Sequence, residues 1–525
     1  MEIRDADVVI VGGGHNGLTA AAYLGLAGLS VVVLERLDGF GGAAVSAETF
    51  DGVEARLSRY SYLVSLLPQR IIDDLSLPIS LAKRRYSSFT PVPGSNQGLL
   101  IDNLDDNATR ESFEALGAGE DFAAWNDFYA DTATLARALF DGVTDPLVTR
   151  SEAREHVASA SGSDEIWNRF IEEPIGRDIA ARFTHDVVRG VVLTDGLIGT
   201  FAPNMDSELE ANRCFLYHVI GGGTGDWDVP VGGMGAVSGA LTEAARLAGA
   251  QLVASAEVLE ITQNNTVRYE KDGVEHSITT RYVLANSSPR ELARLTGGHS
   301  ISIPGEGAQV KVNMVLSRLP KLLDPQVTPE QAFGGTFHIN ETWSQLDKAY
   351  ASADAGSIPS PLPCEIYCHS LTDPSILGEE LQQSGAHTLT VFGLHTPHRL
   401  TEKYDPDELR ALLEAEVLAS LNSVLAEPIE DLLLRDAHGK PCIETKTTHD
   451  LEEALRLPGG NIFHGPLSWP FAEDRDDLST PAQRWGVDSG IGRIVLCGSG
   501  ARRGGAVSGI AGHNAAMAVL EMEAQ

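Results

Sequence analysis

The sequence predicts an α/β protein built on a doubly wound parallel sheet, with a second domain interleaved with the first. Three observations carry this. A short apolar strand runs straight into a glycine-rich turn and a helix at the N-terminus. The same grammar of strand, glycine turn and helix returns in the middle of the chain and again at its end. The chain has 525 residues, too many for one simple core, and two long segments between these blocks lack that grammar.

The first block is the most informative. Asp7-Val8-Val9-Ile10-Val11 is continuously apolar and β-branched, as a strand buried on both faces requires. Gly12-x-Gly14-x-x-Gly17 follows at once. Leu18 to Ala27 carries helix formers, and Gly28 stops the helix. Ser30 to Leu34 is the second strand, and Glu35 ends it 18 positions beyond Gly17. Each part has a job at a dinucleotide. Gly12 permits the tight turn, Gly14 lets the backbone approach a pyrophosphate, and Gly17 lets helix and strand pack closely. The helix N-terminus offers free N–H groups to the phosphates, and Glu35 is placed to accept from the adenosine ribose hydroxyls. His15 and Asn16 lie inside this phosphate loop.

The next residues choose between cofactors. Arg36-Leu37-Asp38-Gly39-Phe40-Gly41-Gly42-Ala43 places a second glycine pair just after the ribose acid, as in flavoproteins. No second strand-GxGxxG-helix unit follows: Gly498-Ser499-Gly500 comes after an apolar strand, but its next glycine is displaced to Gly504. One dinucleotide site is expected, and its ligand is FAD.

In the middle block, Gly232-Gly233-Met234-Gly235 opens a helical run from Ala236 to Leu247, with Gly249 as its stop. Gln251 to Ala254 and Glu257 to Ile261 read as strands. Asp272-Gly273 marks a hairpin turn, and Tyr282 to Asn286 a separate buried strand. In the last block, Ile494 to Gly498 is a strand, a loop rich in glycine follows, and a helix runs from Asn514 to Met522. The intervening segments contain helical runs at Glu111 to Leu139 and Asp407 to Leu425. The expected division is 1–85, 222–307 and 456–525 for the nucleotide domain, and 86–221 and 308–455 for the substrate domain.

Composition excludes some functions. Net charge is −34, which repels nucleic acid and anionic lipid headgroups. The five cysteines, Cys214, Cys364, Cys368, Cys442 and Cys497, are scattered and contain no CxxC pair, so neither a disulfide framework nor thiol redox chemistry is expected. Cys364-x-x-x-Cys368-His369 lies in a strand-like alternation, and no metal site is expected. The apolar stretch from Val8 to Leu34 is broken by glycines, so no transmembrane segment is expected, and with a strand opening directly after MEIRDAD no cationic leader is expected either. The expected location is the cytoplasm.

The motifs jointly resemble the phytoene desaturase-like family of FAD oxidoreductases. Within it, they resemble the branch called pyridine nucleotide-disulfide oxidoreductase domain-containing protein 2. The resemblance rests on Gly14-His15-Asn16-Gly17-Leu18, Gly41-Gly42, Ser61 to Leu67, Val229 to Gly235, Lys311-Val312-Asn313, Gly460 to Gly465, Gly504 to Gly509 and Asn514-Ala515-Ala516. It implies a glutathione-reductase-type FAD-binding Rossmann domain with an interleaved α+β substrate domain. It implies that Val258 meets adenine through its backbone and that the loop from Gly498 through Gly500, Gly505 and Ala506 to Val507 lines the flavin. It also implies a hydrophobic substrate, carotenoid-like or lipid-like, undergoing desaturation or isomerisation, with peripheral membrane contact left open. One departure is Ala501-Arg502-Arg503, where relatives carry a His-Pro element. This pair is read as a substrate anchor, a phosphate binder or a solvated face.

The expected chemistry is hydride transfer between a substrate carbon and flavin N5, with the cofactor performing the difficult step. Lys311, inside the apolar strand Val310 to Met314, and His464, in the turn Phe463-His464-Gly465, are the candidate catalytic residues. Two alternatives stand beside this reading. One is a flavin amine oxidase. The other is a non-catalytic, escort-like binder of the same fold, against which Gly12, Gly14, Gly17 and Glu35 argue.

Overall fold

The computed structural model describes residues 3–298 and 305–525. Residues 1–2 and 299–304 of the expected nucleotide domain lie outside the described residues.

The apolar run at the N-terminus becomes the central strand of a sheet. Strand Asp5–Val11 pairs in parallel with Val31–Leu34 on one side and with Val274–Ala285 on the other. Gln251–Val253 continues the sheet beyond Val31–Leu34, also parallel. Ile494–Leu496 lies parallel along the far edge of Val274–Ala285. Val8, Val9 and Ile10 are fully buried because helices or a second layer cover both faces. Ala256–Ile261 and Thr266–Lys271 extend the sheet antiparallel.

The hairpin turns on Asp272 (φ 54°) and Gly273 (φ 73°), both left-handed as an Asp-Gly turn demands. The two strands expected after it are one strand of 12 residues. Its first four residues are exposed or half-buried, its middle four alternate between buried and exposed, and its last four are all buried. The periodicity changes partway along, so a single continuous strand read as two.

Three helices cover the nucleotide side: α1 (His15–Leu26), α2 (Met234–Leu247) and α3 (Ile510–Glu523). Helix α1 packs against both others. Helix α3 starts four residues before the expected Asn514, so His513 lies inside it. Gly512 is helical there because a Cβ would sit 2.0 Å from Asn16 O of α1, so close packing selects glycine.

A second, seven-stranded sheet has the order Ile443–Lys446, Val310–Leu316, His387–Gly393, Cys364–Tyr367, Thr336–Ile339, Tyr86–Pro91 and Gly98–Asp102. Its pairs are antiparallel except Thr336–Ile339 with Tyr86–Pro91. A helical layer with Trp125, Phe128, Trp167, Phe170, Phe183 and Phe215 in its core lies beside it. The helical run expected at Glu111 to Leu139 is two helices, Asp106–Leu116 and Asp121–Phe140, parted at Gly117 (φ 79°). The nucleotide sheet draws strands from residues 5–34, 251–285 and 488–496; the second draws from 86–102, 310–393 and 443–446.

Candidate active site

The phosphate loop is built as its glycines dictate. Gly12 (φ 101°) turns the chain out of the central strand, and its N–H donates to Leu34 O (2.8 Å). A Cβ on Gly17 would meet Gly12 O at 2.4 Å, so only glycine lets α1 start this close to the strand. Helix α1 begins after Gly14 with no side-chain cap and no acidic residue in its first turn, leaving its N–H groups and dipole for an anion. Glu35 is nearly buried; its carboxylate accepts from Gly13 N (2.7 Å) and Leu37 N (2.8 Å). The second glycine pair lies on this loop. Gly41 N donates to Gly13 O (2.8 Å), and a Cβ on Gly42 (φ 59°) would meet Gly14 Cα at 3.1 Å.

A groove of about 270 Å³ runs from this loop. One end is lined by Glu35, Ala256, Val258 and Leu455. Arg36 donates to Ala454 O (2.6 Å), tying the Thr448–Leu455 helix to that end. Gly12, Gly14, His15, Asn16, Gly42 and Ala43 line the groove beside the phosphate loop. The other end is lined by Tyr60, Tyr62, Lys311, Phe463, His464 and Ala506. Ser499 and Val507 also line the groove. Gly498, Gly500 and Gly505 do not. A Cβ on them would meet Asn286 O at 2.9 Å, Pro289 Cδ at 2.6 Å and Leu467 Cδ2 at 2.9 Å, so these glycines pack the loop.

Lys311 points into the groove. Its Nζ donates to Ser58 O (2.7 Å) and Tyr60 O (2.8 Å) and lies 5.2 Å from the Tyr62 ring centre. Burial pushes the ammonium down to about 7, with Glu444 pulling the other way. His464 (φ 65°) has no partner for Nδ1, and burial pushes it down to about 4, helped by nearby His15. His15 Nε2 donates to Ala506 O (3.2 Å), joining the phosphate loop to the C-terminal loop.

Arg502 and Arg503 are both engaged by protein partners. Arg503 is buried and donates to Gly142 O (2.8 Å) and Asp145 O (2.9 Å). Arg502 donates to Phe471 O and pairs with Asp476. They lash the C-terminal loop to neighbouring segments, a role that adjacent arginines do not reveal in sequence.

A second cavity of about 700 Å³ shares Tyr62, Leu63, Ile198, His218 and Trp227 with the groove. Its walls mix Trp125, Tyr129 and Val191 with Arg84, Asp195, Asp228 and Glu365. Burial pushes Asp195 up to about 6. Beside it, His338 Nδ1 lies 2.7 Å from Glu341 Oε2, and the Thr194 hydroxyl lies 2.9 Å from both Glu341 Oε2 and Glu365 Oε1. Tyr367 OH donates to Glu365 Oε2 (2.6 Å). The ligand atoms of His338, Glu341 and Glu365 lie within 4.8 Å of one another. Burial raises both carboxyls well above the usual range, so as it stands this is a proton-sharing network. None of these three was singled out in the sequence: His338 and Glu341 are only three residues apart, but Glu365 reaches them from another strand, Cys364–Tyr367.

Residues 10–69 match the NAD(P)-binding Rossmann-like domain model. A variant of putrescine oxidase has the same fold over 100% of both chains (TM-score 0.58, 17% identity). So does cyclohexylamine oxidase from Brevibacterium oxydans, over 99% of this chain and 100% of its own (TM-score 0.56, 15% identity). An uncharacterised protein of Mycobacterium tuberculosis is 55% identical over 98% of this chain and 97% of its own. Pyridine nucleotide-disulfide oxidoreductase domain-containing protein 2 of Mus musculus is 30% identical over 98% of this chain and 93% of its own.

The chain belongs to the pyridine nucleotide-disulfide oxidoreductase domain-containing protein 2 family. Despite the family's name, the five cysteines of this member are all free and buried, on separate elements. Its fold is that of an FAD-dependent oxidoreductase, and the groove fits FAD. Asn16 Oδ1, Ser287 Oγ and His464 Nδ1 are buried polar atoms without a partner among the described residues, and their three residues line the groove. Such atoms are costly unless a ligand or water satisfies them. Asn286 is a further member of the cradle: its Nδ2 donates to Gly12 O (3.0 Å) and stands 2.8 Å from where a Cβ on Gly17 would be. The sequence marked Asn286 only as a strand end; the signal was its polar side chain closing an apolar run.

Proposed function

We propose that this protein is an FAD-dependent dehydrogenase or oxidase whose organic substrate occupies the second cavity. The observation that carries this is the shared wall of Tyr62, Leu63, Ile198, His218 and Trp227, which puts a roomy chamber next to the cofactor groove. FAD supplies a two-electron acceptor for hydride from a substrate carbon. The protein's own residues bind and orient. Gly12 to Gly17 and Glu35 hold the dinucleotide; Lys311, fixed by two carbonyl oxygens, presents a titratable group at the other end of the groove. Tyr62, Ile198 and Trp227 shield the passage from water.

The ionisable groups in the wall favour a functionalised substrate over an all-hydrocarbon polyene of carotenoid type. Amine oxidation is a second reading. Asp195 and Asp228 in the chamber wall favour it, and so does the shared fold with putrescine and cyclohexylamine oxidases. The proposal includes a small-molecule partner, no nucleic-acid role and a cytoplasmic location. Among the described residues no helix is long and apolar enough to cross a membrane.

The test is the visible spectrum of the purified protein, recorded aerobically and then anaerobically with polyenes, alcohols, amines and amino acids. Flavin bands bleached by one class support the proposal. A colourless protein that FAD does not reconstitute overturns it and leaves a binder of the same fold.

A further inference from the structure

The second cavity is lined by two charged groups of opposite sign, Arg84 and Asp195, that form no direct ion pair with any described residue. Residues 83–85 read Lys-Arg-Arg in a chain of net charge −34. At the cavity mouth Lys83 pairs with Asp226 (3.2 Å) and Arg85 with Asp102 (2.9 Å). Arg84, between them, makes no ion pair. It donates to two neutral acceptors, Trp227 O (3.1 Å) and Thr336 Oγ1 (3.1 Å), and lines the cavity. Asp195, at the end of the helix Asp186–Thr194, lines the same cavity, and its carboxylate makes no hydrogen bond and no ion pair with the described residues. The Arg84 charge acts on Asp195, yet the two make no direct contact.

The other groups nearby do not cancel them. Glu341 and Glu365 are held protonated by burial, and burial keeps His338 neutral. Asp228 also lines the cavity; the charges of both Lys83 and Arg84 act on it, and its own acts on Arg84, but it forms no direct ion pair with Arg84. Unpaired charges out of bulk water are costly, and a ligand that pairs both recovers that cost. Trp125, Tyr129, Val191 and Ile198 form an apolar and aromatic part of the wall, beside polar groups such as Thr132, Thr194 and Asn103.

We propose that the cavity recognises a zwitterion, an amino-carboxylate of amino-acid type with an apolar body. Its carboxylate lies at the Arg84 guanidinium and its ammonium at Asp195. A planar guanidinium suits a carboxylate because it donates two parallel N–H bonds. The inference rests on the reading of this cavity as the substrate chamber, but it concerns recognition and not the redox step.

Two probe sets test it on the purified holoprotein. One is phenylalanine, phenethylamine and 3-phenylpropanoate; the other is leucine, isopentylamine and 4-methylpentanoate. Binding is read by calorimetry and by quenching of tryptophan fluorescence, since Trp125 and Trp227 line the cavity. At least one zwitterion should bind about tenfold or more tightly than both of its single-charge analogues. Arg84→Gln should erase the preference over the amine only, and Asp195→Asn the preference over the acid only. Arg84→Lys should retain part of the first preference. The proposal is overturned if neither zwitterion binds below about 10 mM, if a single-charge analogue binds as well, or if both variants weaken all probes alike. A colourless protein that still binds the zwitterion would sustain this inference and sink the redox function. A yellow protein reduced only by uncharged substrates would do the reverse.

Discussion

At the scale of single residues, the cradle leaves little freedom. Gly17→Ala forces a methyl to within 2.4 Å of Gly12 O and into contact with Asn286, so α1 must shift. We expect a loss of about 1–3 kcal/mol of stability, typical of overpacking, together with loss of bound flavin, read by thermal melting and by the ratio of visible to ultraviolet absorbance. Lys311 is a different case. Its ammonium is pushed down to about 7, so the proton leaves as pH rises through neutrality. A pH titration of the flavin bands should show a step near that value, and Lys311→Met should remove the step while leaving flavin content unchanged. A step that persists in the variant assigns it to another group. Both residues stood out in the sequence, but for unequal reasons. Gly17 follows from local geometry, whereas Lys311 was only an odd residue in an apolar strand until folding placed Ser58 and Tyr60 around it.

At the scale of elements, the C-terminal loop and the buried acid network carry distinct predictions. Arg503 ties the loop before α3 to the segment around Gly142 and Asp145. Arg503→Met leaves two carbonyl oxygens without their donor. It should cost about 1–3 kcal/mol for each orphaned group without altering which substrates bind. A changed substrate preference with unchanged stability would return Arg503 to the role of an anchor. In the network of Glu341 and Glu365, burial raises both carboxyls. Between the usual carboxylate range and their raised values, the folded chain holds more protons than the unfolded chain. This contribution to stability is therefore full at low pH and is lost as pH rises through that window. Glu341→Gln should flatten the fall of melting temperature with pH; an identical slope in the variant would place the effect elsewhere. The sequence pointed to the loop through its glycines and to the strand Cys364–Tyr367 through its alternation. It was silent on the network, because Glu365 and Thr194 reach His338 and Glu341 only after two strands and a helix have packed.

At the scale of the whole molecule, the chain enters the nucleotide sheet from three separate stretches of sequence, and cofactor in the groove would touch all of them. Bound FAD should therefore stabilise the fold as a unit, by about 2.7 kcal/mol at a hundredfold excess over Kd. Melting of apoprotein and reconstituted holoprotein measures this, and equal melting temperatures would mean that the groove does not hold the cofactor tightly.

The sequence by itself determined the cradle and the class of cofactor, since strand, glycine turn, helix and ribose acid are consecutive and each is dictated by short-range sterics and hydrogen bonding. Only the tertiary structure decided the proposed substrate chamber. Tyr62, Arg84, Asp195, His218, Trp227 and Glu365 belong to different elements, and no periodicity or spacing links them. A cavity is the space that such elements leave when they pack, and its charges acquire meaning only when folding shows which of them lack partners.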